Sequence, residues 1–281
     1  MDLKVTRYEI RDDGVATVWL TRPGRGNSWT KRMNAEYRWI MESLDSDNRV
    51  KIIVVTGEGR QFSVGADSRA LSHYTEVDEN YAESVNMPGM STPGYGVRPE
   101  FDHDMVWHWG LRKPVIAAIN GACAGIATVL ASFCDFRYAA EGIKFTPAAS
   151  RLGLPAEYGL SWVLPRIVGL THTLDILMTN RILRSEELMQ MGYLNGLYPL
   201  DGFLERVYEV AAALAVETSA ESLHAIKRQV YEDLLRHDVG ASVEESKELI
   251  GELMKRPDYK EGVRALRDGR TPDFNLATVG E

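Results

Sequence analysis

The chain has 281 residues, and its 40 acidic against 32 basic side chains give a formal net charge of −8, which offers no footing for a nucleic-acid partner. With 44% apolar and 26% charged residues it has the composition of a soluble globular protein, which sets aside disordered, collagenous and coiled-coil classes. Both cysteines, Cys123 and Cys134, fall in one apolar run, which argues against a disulfide framework or a Cys-based zinc site and suits a reducing cytoplasm, the expected location.

The opening residues show no basic stretch followed by an apolar one, so no signal peptide is expected. Residues 4–10 and 15–20 read as the strands of a hairpin, separated by Asp12-Asp13-Gly14, a turn signal. After the breaker Arg22-Pro23-Gly24, Met33, Tyr37, Ile40, Met41 and Leu44 recur at helical spacing, which predicts an amphipathic helix over about residues 30–45. Residues 51–56 (KIIVVT) are apolar enough for a strand buried on both faces, and helix followed by buried strand points to an α/β protein with parallel pairing.

Residues 57–67 (GEGRQFSVGAD) form a glycine-punctuated turn, with a helix expected to begin near Ser68. The stretch 73–102 is the least regular, and a long irregular loop in a compact domain is expected to border a site. Residues 115–134 contain no charge and are long enough for a membrane span, but Asn120-Gly121 divides them into a buried strand and a small-residue segment read as a buried helix from Ala122 onward. Short strands follow at 136–139 and 143–146, then helices at 157–168, 170–179 and 185–191, a strand-like 194–200, and three further helices from Leu204 to the end. The shift to all-helical sequence near residue 200 divides an α/β core, 1–200, from a helical region, 201–281.

P-loop, GxSxG, HExxH and CxxC motifs are absent, and Phe62 stands where a dinucleotide fingerprint opened by Gly57-Glu58-Gly59 needs its third glycine. The six histidines show no helical metal-ligand pairing, so no metal is expected; His103 and His108 draw notice only because they adjoin the irregular loop. Two segments look arranged for chemistry. Phe62 to Asp67 and Asn120 to Ala127 each turn from a strand into a helix with small residues, leaving amide N–H groups free to share one oxygen as an oxyanion hole. Close packing alone would also favour such small residues.

Arg22-Pro23 with Asn27-Ser28, then IIVVTGEGRQFSVGAD, KPVIAAINGACAG with CDFRYAA, and LGLPAEYGLSWVLPR resemble, in order, the motifs of the crotonase (enoyl-CoA hydratase/isomerase) superfamily. The resemblance implies a spiral of ββα units with a C-terminal helical trimerisation region, a homotrimer or dimer of trimers, and an acyl-CoA substrate whose coenzyme A is the only cofactor-like group. It implies further that the N–H groups of Ala66 and Ile126 hold the thioester oxygen. Gly65 and Gly125 would keep the approach open, and Arg25, Ser28, Val64 and Tyr158 would contact substrate. For Arg25 a solvated surface charge is an equal reading.

The sequence departs from the hydratase pattern at both of its glutamates, where Val129 and Ala149 stand and neither can transfer a proton. Gly153-Leu154-Pro155-Ala156-Glu157-Tyr158-Gly159 resembles instead the carboxylate segment of dienoyl-CoA isomerases, which implies Glu157 as sole acid/base and double-bond migration as the reaction. Glu157 reads equally as an acid in the first turn of the following helix. Asp67 and Asp135 read as structural, the latter tying a strand to Arg137. The alternatives are a hydratase with a non-standard base and a catalytically silent acyl-CoA binder, with a dinucleotide-dependent reductase a distant third.

Overall fold

The computed structural model describes residues 1–67 and 98–274. The helix expected at Ser68 and most of the irregular 73–102 stretch lie outside the described residues; within them, Pro99–Phe101 is a single 3₁₀ turn.

The N-terminal hairpin forms as read, β1 (Thr6–Ile10) antiparallel to β2 (Val15–Leu20). The helix α1 (Lys31–Ser46) begins where the Thr30 hydroxyl accepts the Met33 N–H at 3.1 Å, satisfying one of the amides that a helix start leaves open. Its stripe of Met33, Tyr37, Ile40, Met41 and Leu44 is buried, each such side chain contributing roughly 1.5–3 kcal/mol.

From there the chain alternates between two sheets. β3 (Ile52–Gly57), β5 (Val115–Ile119) and β7 (Phe136–Ala140) enter a sheet that among the described residues has six strands in the order β1-β2-β3-β5-β7 and then Gly196–Tyr198, parallel from β2 onward. After each, a short strand, β4 (Gln61–Ser63), β6 (Ala122–Ala124) or β8 (Lys144–Thr146), crosses into a second sheet of order β4-β6-β8-β9, closed by β9 (Leu183–Arg184). β10 (Gly196–Tyr198) completes the larger sheet. β3 and β5 are buried along their whole lengths, as their unbroken apolar sequence requires of parallel strands covered on both faces. Among the described residues no helix is long and apolar enough to cross a membrane.

The structure corrects several expectations. The small-residue segment does not become helix at Ala122: Ala122–Ala124 pairs as a strand between β4 and β8, and the helix Ile126–Phe133 starts only after Gly125. The helix expected at 157 starts at Leu160, because Tyr158 and Gly159 both take left-handed φ values, 43° and 84°. Among the described residues the C-terminal region holds four helices where three were expected: Phe203–Glu217, Ala220–Asp233, Val239–Leu253 and Pro257–Asp268. Asp135 does not pair with Arg137. It accepts from Val115 N, Lys227 Nζ and Tyr231 Oη at 2.6–2.8 Å, fastening the Ala220–Asp233 helix to the sheet. Lys227 is itself buried, and removing either partner of such a pair costs about 3–5 kcal/mol.

Candidate active site

The register of the small sheet brings the two suspect turns together. Ser63 on β4 pairs with Cys123 on β6 in parallel, so the residues that follow each leave the sheet side by side. Gly65 has φ 92° and Gly125 has φ 54°, ψ −129°, conformations a side chain resists. They also touch: a Cβ on Gly65 would lie 2.9 Å from the Ala124 carbonyl oxygen and 3.4 Å from Gly125 Cα. Glycine at both positions is what lets the two backbones meet, and the next residue of each turn is a candidate donor.

The first turn is clamped from outside. Trp29 N donates to Gly65 O at 2.7 Å and Asp67 N donates to Trp29 O at 3.1 Å, so Ala66 is gripped on both sides in a one-residue parallel bridge. The Asp67 carboxylate is buried and accepts from Arg22 Nη2 at 2.9 Å and Ser28 Oγ at 3.0 Å, while Arg22 Nη1 reaches both the Ser28 carbonyl and hydroxyl. The second turn is set by a helix. Gly125 N donates to Thr146 O at 3.0 Å, and the Gly125 carbonyl accepts from Thr128 N and Oγ1 at 2.9 and 2.7 Å. Ile126 is the first residue of its helix, where an N–H has no intrahelical acceptor. Among the described residues, neither the Ala66 nor the Ile126 N–H has an acceptor.

At the hydratase positions, Val129 is buried within the Ile126–Phe133 helix and Ala149 is buried at the head of the Ser150–Leu152 turn. Glu157 precedes its helix by three residues, outside the first turn, which removes the capping role. Gly159 packs against the end of the Ile126–Phe133 helix, where a Cβ would lie 3.2 Å from Phe133 Cζ. The segment leading to it starts at the second turn: Pro147 O would be 3.9 Å from a Cβ on Gly125, and Ala148 N donates to Asn180 Oδ1 at 2.8 Å. Glu157 is half-buried, and burial alone raises its carboxyl above the ordinary range; among the described residues its side chain has no hydrogen-bond partner. Tyr158 is partly buried against the core.

Arg25 and Val64 line an open groove with Pro23, Gly26 and Arg60. Arg25 is exposed, and among the described residues its guanidinium has no ion-pair partner. Ser28 faces elsewhere: it is buried inside the Arg22–Asp67 network and supports the turn. Sequence reasoning missed Trp29, Thr128 and Arg60. Nothing in the local sequence marks Trp29, whose part depends on a pairing 37 positions away, whereas Arg60 stands in the quoted glycine turn and could have been found there.

Strands that alternate between two sheets and open two facing amide turns define an α/β scaffold of the crotonase class, and a probable enoyl-CoA hydratase/isomerase of Mycobacterium abscessus superposes with a TM-score of 0.81 at 28% identity, covering 95% of this chain and 97% of that one. The chain belongs to the enoyl-CoA hydratase/isomerase family, whose model matches residues 11–89 and 97–276. A probable enoyl-CoA hydratase of Mycobacterium tuberculosis is 30% identical over 266 residues, 92% of this chain and 89% of that protein. The trans-2-decenoyl-[acyl-carrier-protein] isomerase of Streptococcus mutans is 28% identical over 283 residues, 98% of this chain and 99% of that protein. The protein is an enzyme of hydratase/isomerase type.

Proposed function

We propose that this enzyme moves a carbon–carbon double bond within an acyl-CoA thioester, with Ala66 and Ile126 as oxyanion donors and Glu157 as the acid/base. The observation that carries the reading is the contrast in side chains: Glu157 is a carboxyl without a hydrogen-bond partner among the described residues, whose proton affinity burial has raised, while Val129 and Ala149 cannot carry a proton. The Glu157 carboxylate takes a γ proton from a 2-enoyl thioester; the C–H pair becomes the new C3=C4 bond, the old double bond shifts to C1–C2, and the negative charge rests on the thioester oxygen between the two N–H groups. Glu157 then returns the proton to C2. No water is consumed. The helix Ile126–Phe133 is about 12 Å long, so an acyl chain leaving the amide pair along it runs toward the Glu157 segment packed on its far end.

The coenzyme A portion is assigned to the groove beside Arg25, Arg60 and Val64, with Gly65 and Gly125 giving backbone access and Tyr158 bordering the acyl chain. A homotrimer or dimer of trimers is part of the same proposal; exposed apolar residues such as Ile226, Val230, Val239 and Ile250 on the C-terminal helices favour self-association, which light scattering measures. Hydration through Glu157 alone is the second reading, favoured by the Mycobacterium tuberculosis relative described as a hydratase.

The test is incubation of wild type and Glu157→Gln in D₂O with 2-enoyl and 3-enoyl CoA esters, read by mass spectrometry. Deuterium entering the acyl chain without added water is expected, with turnover reduced by about 10²-fold or more in Glu157→Gln and CoA-ester affinity nearly unchanged. Added water would shift the assignment to hydration. Full activity in Glu157→Gln would remove Glu157 from the mechanism, and saturable binding with neither label nor water would mark a silent binder.

A further inference from the structure

A buried hydrogen-bonded pair stands behind the clamp on the first turn. His108 is fully buried in the 3₁₀ segment Val106–Gly110. Its Nδ1 lies 2.5 Å from the Met105 carbonyl oxygen and its Nε2 lies 2.7 Å from Tyr37 Oη. A carbonyl can only accept, so Nδ1 carries the ring proton; burial lowers the imidazole pKa to about 3, which keeps the ring neutral and leaves Nε2 a lone pair for the Tyr37 O–H. The Trp107 indole stacks on the imidazole at 4.0 Å with planes 14° apart. Tyr37 in turn meets Trp29 edge-on, with centroids 5.6 Å apart and planes at 70°. Trp29 is the residue whose N–H and carbonyl grip Gly65 and Asp67.

We infer that the His108–Tyr37 hydrogen bond is a positioning device for the first oxyanion donor: it fixes Tyr37 against Trp29, and Trp29 holds the Ala66 N–H on the line that polarises a thioester carbonyl. The inference rests on the oxyanion reading above. An apolar core would fill the same space without burying a phenol and an imidazole, but apolar contact does not fix the direction of a ring as a fully satisfied hydrogen-bond chain does. Met105, whose carbonyl accepts the hydrogen bond from the imidazole Nδ1–H, has φ 63°, a left-handed conformation unusual for methionine that the chain sustains at the head of this segment.

The experiment is the infrared difference spectrum of 2-butenoyl-CoA carrying ¹³C at the thioester carbon, bound to the whole enzyme, together with kcat and KM for the same ester. On wild type the carbonyl stretch is expected at lower frequency than in solution. Tyr37→Phe, which keeps the ring and deletes the hydroxyl, is expected to return part of that shift and to lower kcat about fivefold to tenfold, a fraction of what losing a whole donor does, with KM within about twofold. His108→Leu should do the same, while His108→Gln, which retains an acceptor, should keep more of the shift and supplies a readable variant should Tyr37→Phe fold poorly. A wild-type shift left intact in Tyr37→Phe and His108→Leu, with kcat unchanged and only thermal stability lowered, would reduce the pair to packing and overturn the inference. Absence of any shift in wild type would overturn the oxyanion reading, and this inference with it.

Discussion

The turns at Gly65 and Gly125 present the same kind of amide by different means. At the first, Trp29 bridges Ala66 through the backbone of Gly65 and Asp67, and Arg22 and Ser28 hold the Asp67 carboxylate, all three being residues brought in from the loop after the N-terminal hairpin. At the second, the donor opens a helix buried along all of its length, and the local chain supplies nearly everything: Gly125, Thr128 and the helix's own geometry, with one outside bond to Thr146. A helix start is a local property of the chain, so that donor depends little on distant side chains. The clamped donor depends on several of them.

Four substitutions test that asymmetry, and two pH dependences test the buried groups behind and beside it. The largest effect is expected from Gly65→Ala, whose Cβ would meet the Ala124 carbonyl at 2.9 Å and force a φ of 92° on alanine; both turns are pushed apart, and kcat should fall about 10²-fold to 10³-fold, the range for losing an oxyanion donor. A near-normal kcat would mean that the turns need not touch. Gly125→Ala meets its nearest neighbour at 3.4 Å but still carries φ 54°, so a loss of roughly tenfold is expected, with thermal stability falling by about 1–3 kcal/mol from backbone strain. Equal damage at both glycines would erase the asymmetry at the backbone level.

Smaller effects separate the side-chain supports. Arg22→Met removes one of the donors to Asp67 Oδ2 and should lower kcat by about fivefold, a part of the ~1.5–3 kcal/mol that a hydrogen bond to a charged group contributes, since Ser28 Oγ still donates to the same oxygen. Thr128→Val removes only the hydroxyl, leaving the Thr128 N–H on the same carbonyl, and steady-state kinetics should show less than about a threefold change. If Thr128→Val did more harm than Arg22→Met, the second turn would be the side-chain-dependent one.

The last effect vanishes at neutral pH. His108 titrates near 6.5 when unfolded but near 3 in the folded chain, so between those values the unfolded state binds the extra proton and stability falls as pH is lowered. The slope contributed by this one group approaches ~1.4 kcal/mol per pH unit, and denaturant melts of wild type and His108→Gln from pH 7 to 4 should diverge on the acid side alone. Parallel curves would mean that the imidazole is not held neutral. Activity follows a separate acid limb: the raised Glu157 carboxyl must be ionised to act as base, so kcat/KM should decline at a pH above the usual glutamate range.

Much of this protein was legible without coordinates. The stripe of Met33, Tyr37, Ile40, Met41 and Leu44 and the apolar runs of β3 and β5 announce helix and buried strand because burial follows periodicity. Where the reading slipped, nearest-neighbour context decided. Ala122–Ala124 carries no strand signal of its own and became a strand because β4 and β8 offered edges on either side. Asp135 found Lys227 and Tyr231, nearly a hundred positions on, where Arg137 two positions away was the sequence choice.

The same division runs through the site. The sequence by itself determined the elements, the family resemblance, the two glycine turns and the absence of a carboxylate at Val129 and Ala149, since each is written in a contiguous motif. Only the tertiary structure decided that the turns touch through glycine backbones, that Trp29 and the Arg22–Ser28–Asp67 network clamp the first of them, and that Glu157 stands free of the helix after it. Hydrophobic periodicity is a property of neighbouring residues and survives in a string of letters; hydrogen-bond partners and burial of a lone carboxyl are fixed by contacts between distant segments, which exist only once the chain has folded.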